Sequence, residues 1–211
     1  MTSAATTTKA QQAYRKVRKL LLTGKLISGQ KTSLRAMASQ LGMSVVPVSE
    51  AVRRLEQEGL VQTKPQSGVY ITRLTPRKQT ELAIVRQALE MQAARLIAIA
   101  RPEKQLDSLR ARALKIVDYQ SVDKPSLASY SDWEFHVKLV AASGCRLLND
   151  RYEGITALAM IATMNLDQKW YEPDVSHLQV VEALESGDPD AAAATIEKHL
   201  KAEPIFFGLK R

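Results

Sequence analysis

The sequence predicts a mainly α-helical protein in two parts: a small N-terminal unit ending in a short hairpin, and a larger all-α unit. Three observations carry this. Apolar residues recur at helical spacing along most of the 211-residue chain, and only residues 60–73 alternate in the manner of strands. Aromatic residues are just 5% against 45% hydrophobic overall, so the core rests on Leu, Ile, Val, Ala and Met, a composition that favours helices over a sandwich. Charge divides with the pattern: residues 1–75 hold twelve Lys/Arg and three Asp/Glu, and the rest is nearly balanced, although the whole chain carries +8. A basic, foldable segment beside a neutral one points to an anionic polymer as partner of the first part.

Residues 1–10 read as a disordered lead-in without the apolar core of a secretory leader. A helix is predicted over 11–23, where Tyr14, Val17, Leu20 and Leu21 form a stripe and Gly24 stops it. Lys25 to Lys31 reads as a connector. Ser33 is placed to cap a second helix, whose Leu34, Met37, Ala38 and Leu41 fall at i, i+3, i+4 and i+7 before Gly42. Ser44 is placed to cap a third, with Pro47 in its first turn and Val48, Ala51, Val52 and Leu55 repeating the period. Two short helices joined by a glycine-containing turn match a helix-turn-helix, whose second helix enters the major groove of DNA. Strands over 60–64 and 69–73, around Pro65-Gln66-Ser67-Gly68, complete a wing, where Lys64 and the turn backbone at Gly68 can meet phosphates.

Thr75-Pro76 marks the boundary between a unit at 11–75 and one at 76–211. The second reads as about six helices packed as a bundle, over 77–100, 102–120, 125–143, 146–167, 174–186 and 188–202. All three histidines of the chain lie here. Asp132 and His136 stand one turn apart on one stripe with Phe135 and Leu139. His177 is in line with Val181 and Leu184, and His199 with Ala192, Thr195 and Ile196. One carboxylate and three imidazoles aimed at a bundle interior are a candidate divalent-metal site for zinc, nickel, manganese or iron. The same residues also read as three separate core histidines, each hydrogen-bonded to a neighbour, with Asp132 capping its helix. The single cysteine, Cys145, excludes an internal disulfide and suits a reducing compartment, hence a cytoplasmic protein. No apolar run is long enough to span a membrane.

The stretch TSLRAMASQLGMSVVPVSEAVRRLEQEGLVQ, followed by SGVYI, resembles the GntR family of bacterial transcriptional regulators. Leu34, Arg35, Ala38, Leu41, Gly42, Ser44, Pro47, Val48, Glu50, Ala51, Leu55, Glu58, Gly59 and Leu60 fall in register with its pattern. Two departures stand out: Val45 and Ser49 occupy positions where the family has arginine, and such arginines contact DNA in relatives. The resemblance implies phosphate anchoring by Arg35, Arg53, Arg54 and Lys64, with an operator preference set by Val45, Val46 and Ser49 and with Ser44 beside them against the DNA. Asp132-Trp133-Glu134-Phe135-His136, HLQVVEALESGDPDAA, AAAATIEKHL and VRQALEMQAARLIA resemble the ligand-binding FCD domain of the family's FadR-type branch. That likeness implies Asp132, His136, His177 and His199 as metal ligands, and a small carboxylate as effector at open positions of the metal, with Arg86 either pairing with that anion or held in a structural ion pair. It implies a homodimer on a short palindrome in double-stranded promoter DNA, acting as a repressor and not as an enzyme. Two other readings share the same residues: a metal-dependent hydrolase with a basic appendage, and an architectural DNA-binding dimer with a structural metal.

Overall fold

A computed structural model describes residues 7–121, 125–163 and 174–201. The chain divides into two compact units, Met1–Arg73 and Leu74–Arg211.

The first unit holds α1 (Lys9–Leu22), β1 (Lys31–Thr32), α2 (Leu34–Leu41), α3 (Val45–Gln57), β2 (Val61–Lys64) and β3 (Gly68–Ile71). Helix α1 begins two residues before the predicted start, because Thr8 and Gln11 form a capping box that satisfies two otherwise unpaired N–H groups. Residues 9 and 10 of the expected lead-in are therefore helical, and residues 1–6 lie outside the described ones. Ser33 caps α2 by accepting from the Ala36 N–H, and Gly42 ends it at a φ of 62°. The hydrophobic stripes of α1 and α3 face each other, burying Val17, Leu21, Val48 and Leu55 completely.

The sheet is antiparallel with order β1-β3-β2, and it contains a strand the sequence reading did not include. At two residues, β1 is too short to show alternation; it exists only through pairing of Lys31 with Tyr70 and Thr32 with Val69. The wing turns at Pro65-Gln66, with a φ of 58° at Gln66 and the Ser67 N–H returning to the Lys64 carbonyl, the signature of a type II turn. Gly68 follows at a φ of 117°, and a Cβ there would lie 2.6 Å from the Thr32 carbonyl oxygen. Gly68→Ala is therefore expected to part β1 from β3 and lower the stability of this unit by roughly 1–3 kcal/mol. Chemical denaturation of the variant checks this, and an unchanged midpoint would refute it.

The second unit contains α4 (Pro76–Ala100), α5 (Glu103–Ser121), α6 (Pro125–Ala142), α7 (Arg146–Thr163), α8 (His177–Glu185) and α9 (Pro189–Lys201). Thr75 caps α4 with Pro76 in its first turn, and α4 then packs against α6, α7, α8 and α9. The shared core includes Ala94, Ile97, Leu109, Phe135, Leu139, Val181, Leu184 and Ile196. Helix α8 starts at His177 and not at 174, because Ser176 and Gln179 form a capping box that sets its first turn. The predicted end of α7 at 164–167 lies outside the described residues. Among those described, no helix is long and apolar enough to cross a membrane.

Candidate metal centre and nucleic-acid interface

Four side chains predicted as ligands meet in the second unit. Asp132 and His136 come from one face of α6, His177 from the first turn of α8, and His199 from the last turns of α9. One donor atom from each lies within 4.8 Å of all the others. The three histidines are buried, and Asp132 keeps 27% of its side chain exposed. Phe135 packs edge-on against His177 at 4.8 Å between ring centres, so an apolar wall lies beside the cluster.

The outer ring nitrogens are anchored. His136 Nδ1 lies 2.6 Å from Glu90 Oε2, and His199 Nδ1 lies 2.6 Å from the Val175 carbonyl oxygen. A carbonyl and a carboxylate only accept, so both Nδ1 atoms carry the hydrogen; the Nε2 of His199 presents a lone pair inward, and that of His136 presents one when its second proton is absent. Those two Nε2 atoms are 3.3 Å apart. His177 Nε2 is buried 2.9 Å from Asp132 Oδ1, at ion-pair distance but off the direction of a hydrogen bond. A proton shared between His136 and His199 would relieve one contact and leave His177 unsatisfied. A divalent cation accepts all four donors at once, and the mixed nitrogen and oxygen set suits zinc, nickel, manganese or iron. The residues present therefore fit a metal.

Electrostatics follow from burial and neighbours. Burial works against the Asp132 carboxylate, but the close His177 ring and the charges of His136 and Arg86 hold its pKa well below the usual range. Burial and the neighbouring rings push His199 down to about 3, which keeps it neutral and basic at Nε2 in ordinary buffers. Burial alone would lower His136, yet the Glu90 charge raises it.

Glu90 lies in the FCD-like stretch VRQALEMQAARLIA, but the sequence reading gave it no role at the site. It is completely buried on α4, takes the His136 N–H, accepts from Arg86 Nε at 2.7 Å, and accepts from the Tyr152 hydroxyl. Burial pushes its carboxyl up, but the charges of His136 and Arg86 and the bonds from His136 and Tyr152 outweigh that and hold it at about 2. A signal was available: Glu90, Ala93, Ala94 and Ile97 share one buried stripe at i, i+3, i+4 and i+7, where a carboxylate requires a partner. Arg86, considered for an anionic effector, places its Nε on Glu90 beside the cluster.

In the first unit the predicted DNA-contacting residues fall into two groups. Arg35, Ser44, Val45, Val46, Arg53 and Lys64 are exposed, and Ser49 and Gly68 are half-buried. Ser44 occupies the N-cap position of α3 but makes no side-chain cap hydrogen bond, contrary to its predicted capping role. Pro47, three residues on, removes one of the two N–H groups from which such a cap can accept. Arg54 is engaged within the unit: its guanidinium lies 3.9 Å over the Tyr14 ring, and its Nε is 3.2 Å from Glu58 Oε1. Tyr14 donates to the same carboxylate, so this trio ties α3 to α1. Lys64 lies over Tyr70 at 4.8 Å on the wing.

Comparison with known proteins agrees with both units. Residues 9–71 match the family model described as bacterial regulatory proteins, gntR family, and residues 81–202 match the FCD domain. The chain is 26% identical over 197 residues to the HTH-type transcriptional repressor RspR of Escherichia coli, covering 90% of this chain and 85% of that protein. It is 32% identical over 183 residues to a probable D-xylose utilization operon transcriptional repressor of Paenarthrobacter nicotinovorans, covering 85% and 80%. Among solved structures, E. coli McbR/YncC superposes with a TM-score of 0.78 at 18% identity, covering 98% of this chain and all (100%) of that one. A putative GntR regulator from Rhodococcus gives 0.78 at 19%, covering 96% and 99%. These two show the fold. A basic winged helix-turn-helix followed by an FCD domain leaves no place for the hydrolase reading: the chain belongs to the GntR family of DNA-binding transcriptional regulators, with an FCD domain as its second unit.

Proposed function

We propose that the chain is a cytoplasmic, metal-dependent, effector-controlled repressor that binds promoter DNA as a homodimer. The observation that carries this reading is the convergence of one donor atom from each of Asp132, His136, His177 and His199 within 4.8 Å of one another, with all three imidazoles buried. Asp132, His136, His177 and His199 would hold the ion. When bound, it supplies open coordination positions that draw carboxylate oxygens of a small effector. Glu90 and the Val175 carbonyl fix the ring orientations of His136 and His199, and Phe135 walls the site with apolar surface. Arg86, close enough to Asp132 to lower its pKa, adds positive charge beside the place an anion would occupy.

On DNA, the first turn of α3 would enter the major groove, with Ser44, Val45, Val46 and Ser49 nearest the base edges. Arg35, Arg53, Lys64 and the backbone at Gly68 would anchor phosphates, which position the domain without specifying sequence. Arg54, held by Tyr14 and Glu58, serves the packing of α3 on α1 and is left out of that set. A two-fold homodimer then matches a short palindrome. Effector control requires the two operator-binding states to differ in effector affinity. Relatives named as repressors support the negative sign.

A thermal-shift screen of small carboxylates, run with metal-loaded and chelated protein, tests the reading. A true effector present at about 100 times its Kd stabilises the loaded protein by about 2.7 kcal/mol and leaves chelated protein unmoved. The same compound should change the affinity for a promoter duplex, measured at one fixed salt concentration. If no metal raises the melting temperature, or the carboxylates act equally after chelation, the metal-centred reading is lost.

A further inference from the structure

We propose that α3 recognises thymine through its C5-methyl group, with Val45 and Val46 as a paired apolar probe. The proposal rests on α3 entering the major groove and concerns what that helix reads once there.

The first turn of α3 is anomalous for a surface helix of a basic unit. Val46 is 69% exposed and Val45 40% exposed, and the turn carries no acidic residue. The inward face is already occupied by Pro47, Val48, Ala51, Val52 and Leu55, all buried, so the two valines project outward by helix geometry. Valine is a poor helix former, and neither side chain contributes to the unit's core. Their exposure therefore has no return inside the unit. It acquires one if an apolar group lies opposite.

The major groove offers one apolar group on the bases, the thymine methyl; guanine and adenine present donors and acceptors that a hydrocarbon cannot satisfy. Valine's χ1 is held to essentially one rotamer in a helix, so the methyls are presented rigidly at small entropic cost. The neighbouring Ser44 and Ser49 hydroxyls donate or accept equally and impose no demand for guanine. The strong readers of guanine are arginine and lysine, and α3 has neither in its first turn. Its arginines are Arg53, about 12 Å further along the helix axis from Val45, and Arg54, stacked on Tyr14. The first turn is thus chemically matched to thymine and mismatched to guanine.

The experiment uses the full chain and duplexes selected from a random library at fixed low salt. Selection is expected to enrich thymine at the paired central positions of each half-site. Each of those thymines is then replaced by deoxyuridine, which removes the methyl and leaves every hydrogen-bonding edge intact. Affinity should fall by about fourfold per methyl, the effect of one buried CH₂-sized group. In Val46→Ala the same replacement at the matched position should have little or no further effect, so the two losses do not add. Equal affinity for thymine and deoxyuridine duplexes overturns the assignment while leaving groove entry intact. An undiminished methyl effect in both Val46→Ala and Val45→Ala overturns it as well, as does enrichment of guanine at those positions. Failure to bind any selected duplex would remove the underlying reading together with this one.

Discussion

Glu90→Gln is expected to lower the melting temperature of the helical unit by on the order of 10 °C at neutral pH, and to weaken metal binding by about 10- to 100-fold. The reasoning starts from burial. The Glu90 side chain is fully buried, and the Arg86 side chain paired with it is only 12% exposed. Removing one charge of a buried pair leaves the other uncompensated, a loss of about 3 kcal/mol, which corresponds to a shift of that order in a unit of this size. Glutamine retains an acceptor for the His136 N–H but not the negative charge that strengthens His136 as a ligand, and altered outer partners of metal ligands typically have the stated effect on affinity.

The pH dependence has a defined sign. Folding holds the Glu90 carboxyl at about 2 against an ordinary value of 4.5. A depressed carboxylate contributes stability that is fully present above its unfolded pKa and is lost as pH falls through its folded one. The part of the stability gap that comes from the Glu90 carboxyl should narrow as pH falls from about 4.5 to about 2, and the part that comes from His136, raised by the Glu90 charge, should diminish as pH rises above about 6.5. Calorimetry on chelated protein across that range measures the gap, and competition against a chromophoric chelator measures the affinity. A variant that melts with the native protein and holds metal equally well would remove Glu90 from its assigned place.

The second large effect is expected from His177→Ala/His199→Ala. Native protein should carry about one divalent ion per chain, and the double variant should lose it, with affinity lower by roughly a thousandfold or more once half the donor set is gone. Truncating two buried rings also leaves cavities and frees the Val175 carbonyl, so the chelated variant should be less stable than the chelated native protein by about 2–5 kcal/mol, and metal loss is read on variant shown to be folded by circular dichroism. Metal should raise the melting temperature of the native chain alone. Loading should weaken from about pH 8 to about pH 6, because protons compete for the ring nitrogens. His136, raised by Glu90, feels that competition first. Elemental analysis after gel filtration reads the stoichiometry; full retention of the ion by the variant would discard the site.

Much of the molecule follows from local chemistry. Helical periodicity, Gly42 and Gly24 as stops, and the Pro65–Gly68 turn place the helices of the first unit and its wing. The i, i+4 spacing of Asp132 and His136 puts two donors on one face of α6 before any tertiary contact forms. Such features are legible because each depends on residues a few positions apart. The starts of α1 and α8 depended on capping boxes at Thr8 and Ser176, which are equally local.

Other features exist only because distant segments meet. Strand β1 is two residues that become a strand by pairing with β3. Arg54 looks like a free cation in sequence, and the packing of α1 on α3 brings Tyr14, 40 positions earlier, beneath its guanidinium. The stripes on α6, α8 and α9 put each histidine on an inward face, but only the bundle's crossing geometry brings their donor atoms within 4.8 Å. Glu90 is the sharpest case. Its sequence neighbours show that it is buried, whereas its partners, His136 and Tyr152, lie 46 and 62 residues away. Periodicity determines which way a side chain faces; the pairing of charges across helices is decided by the packing, because the energy of a buried ion depends on atoms a few ångströms away in space and not on its place along the chain.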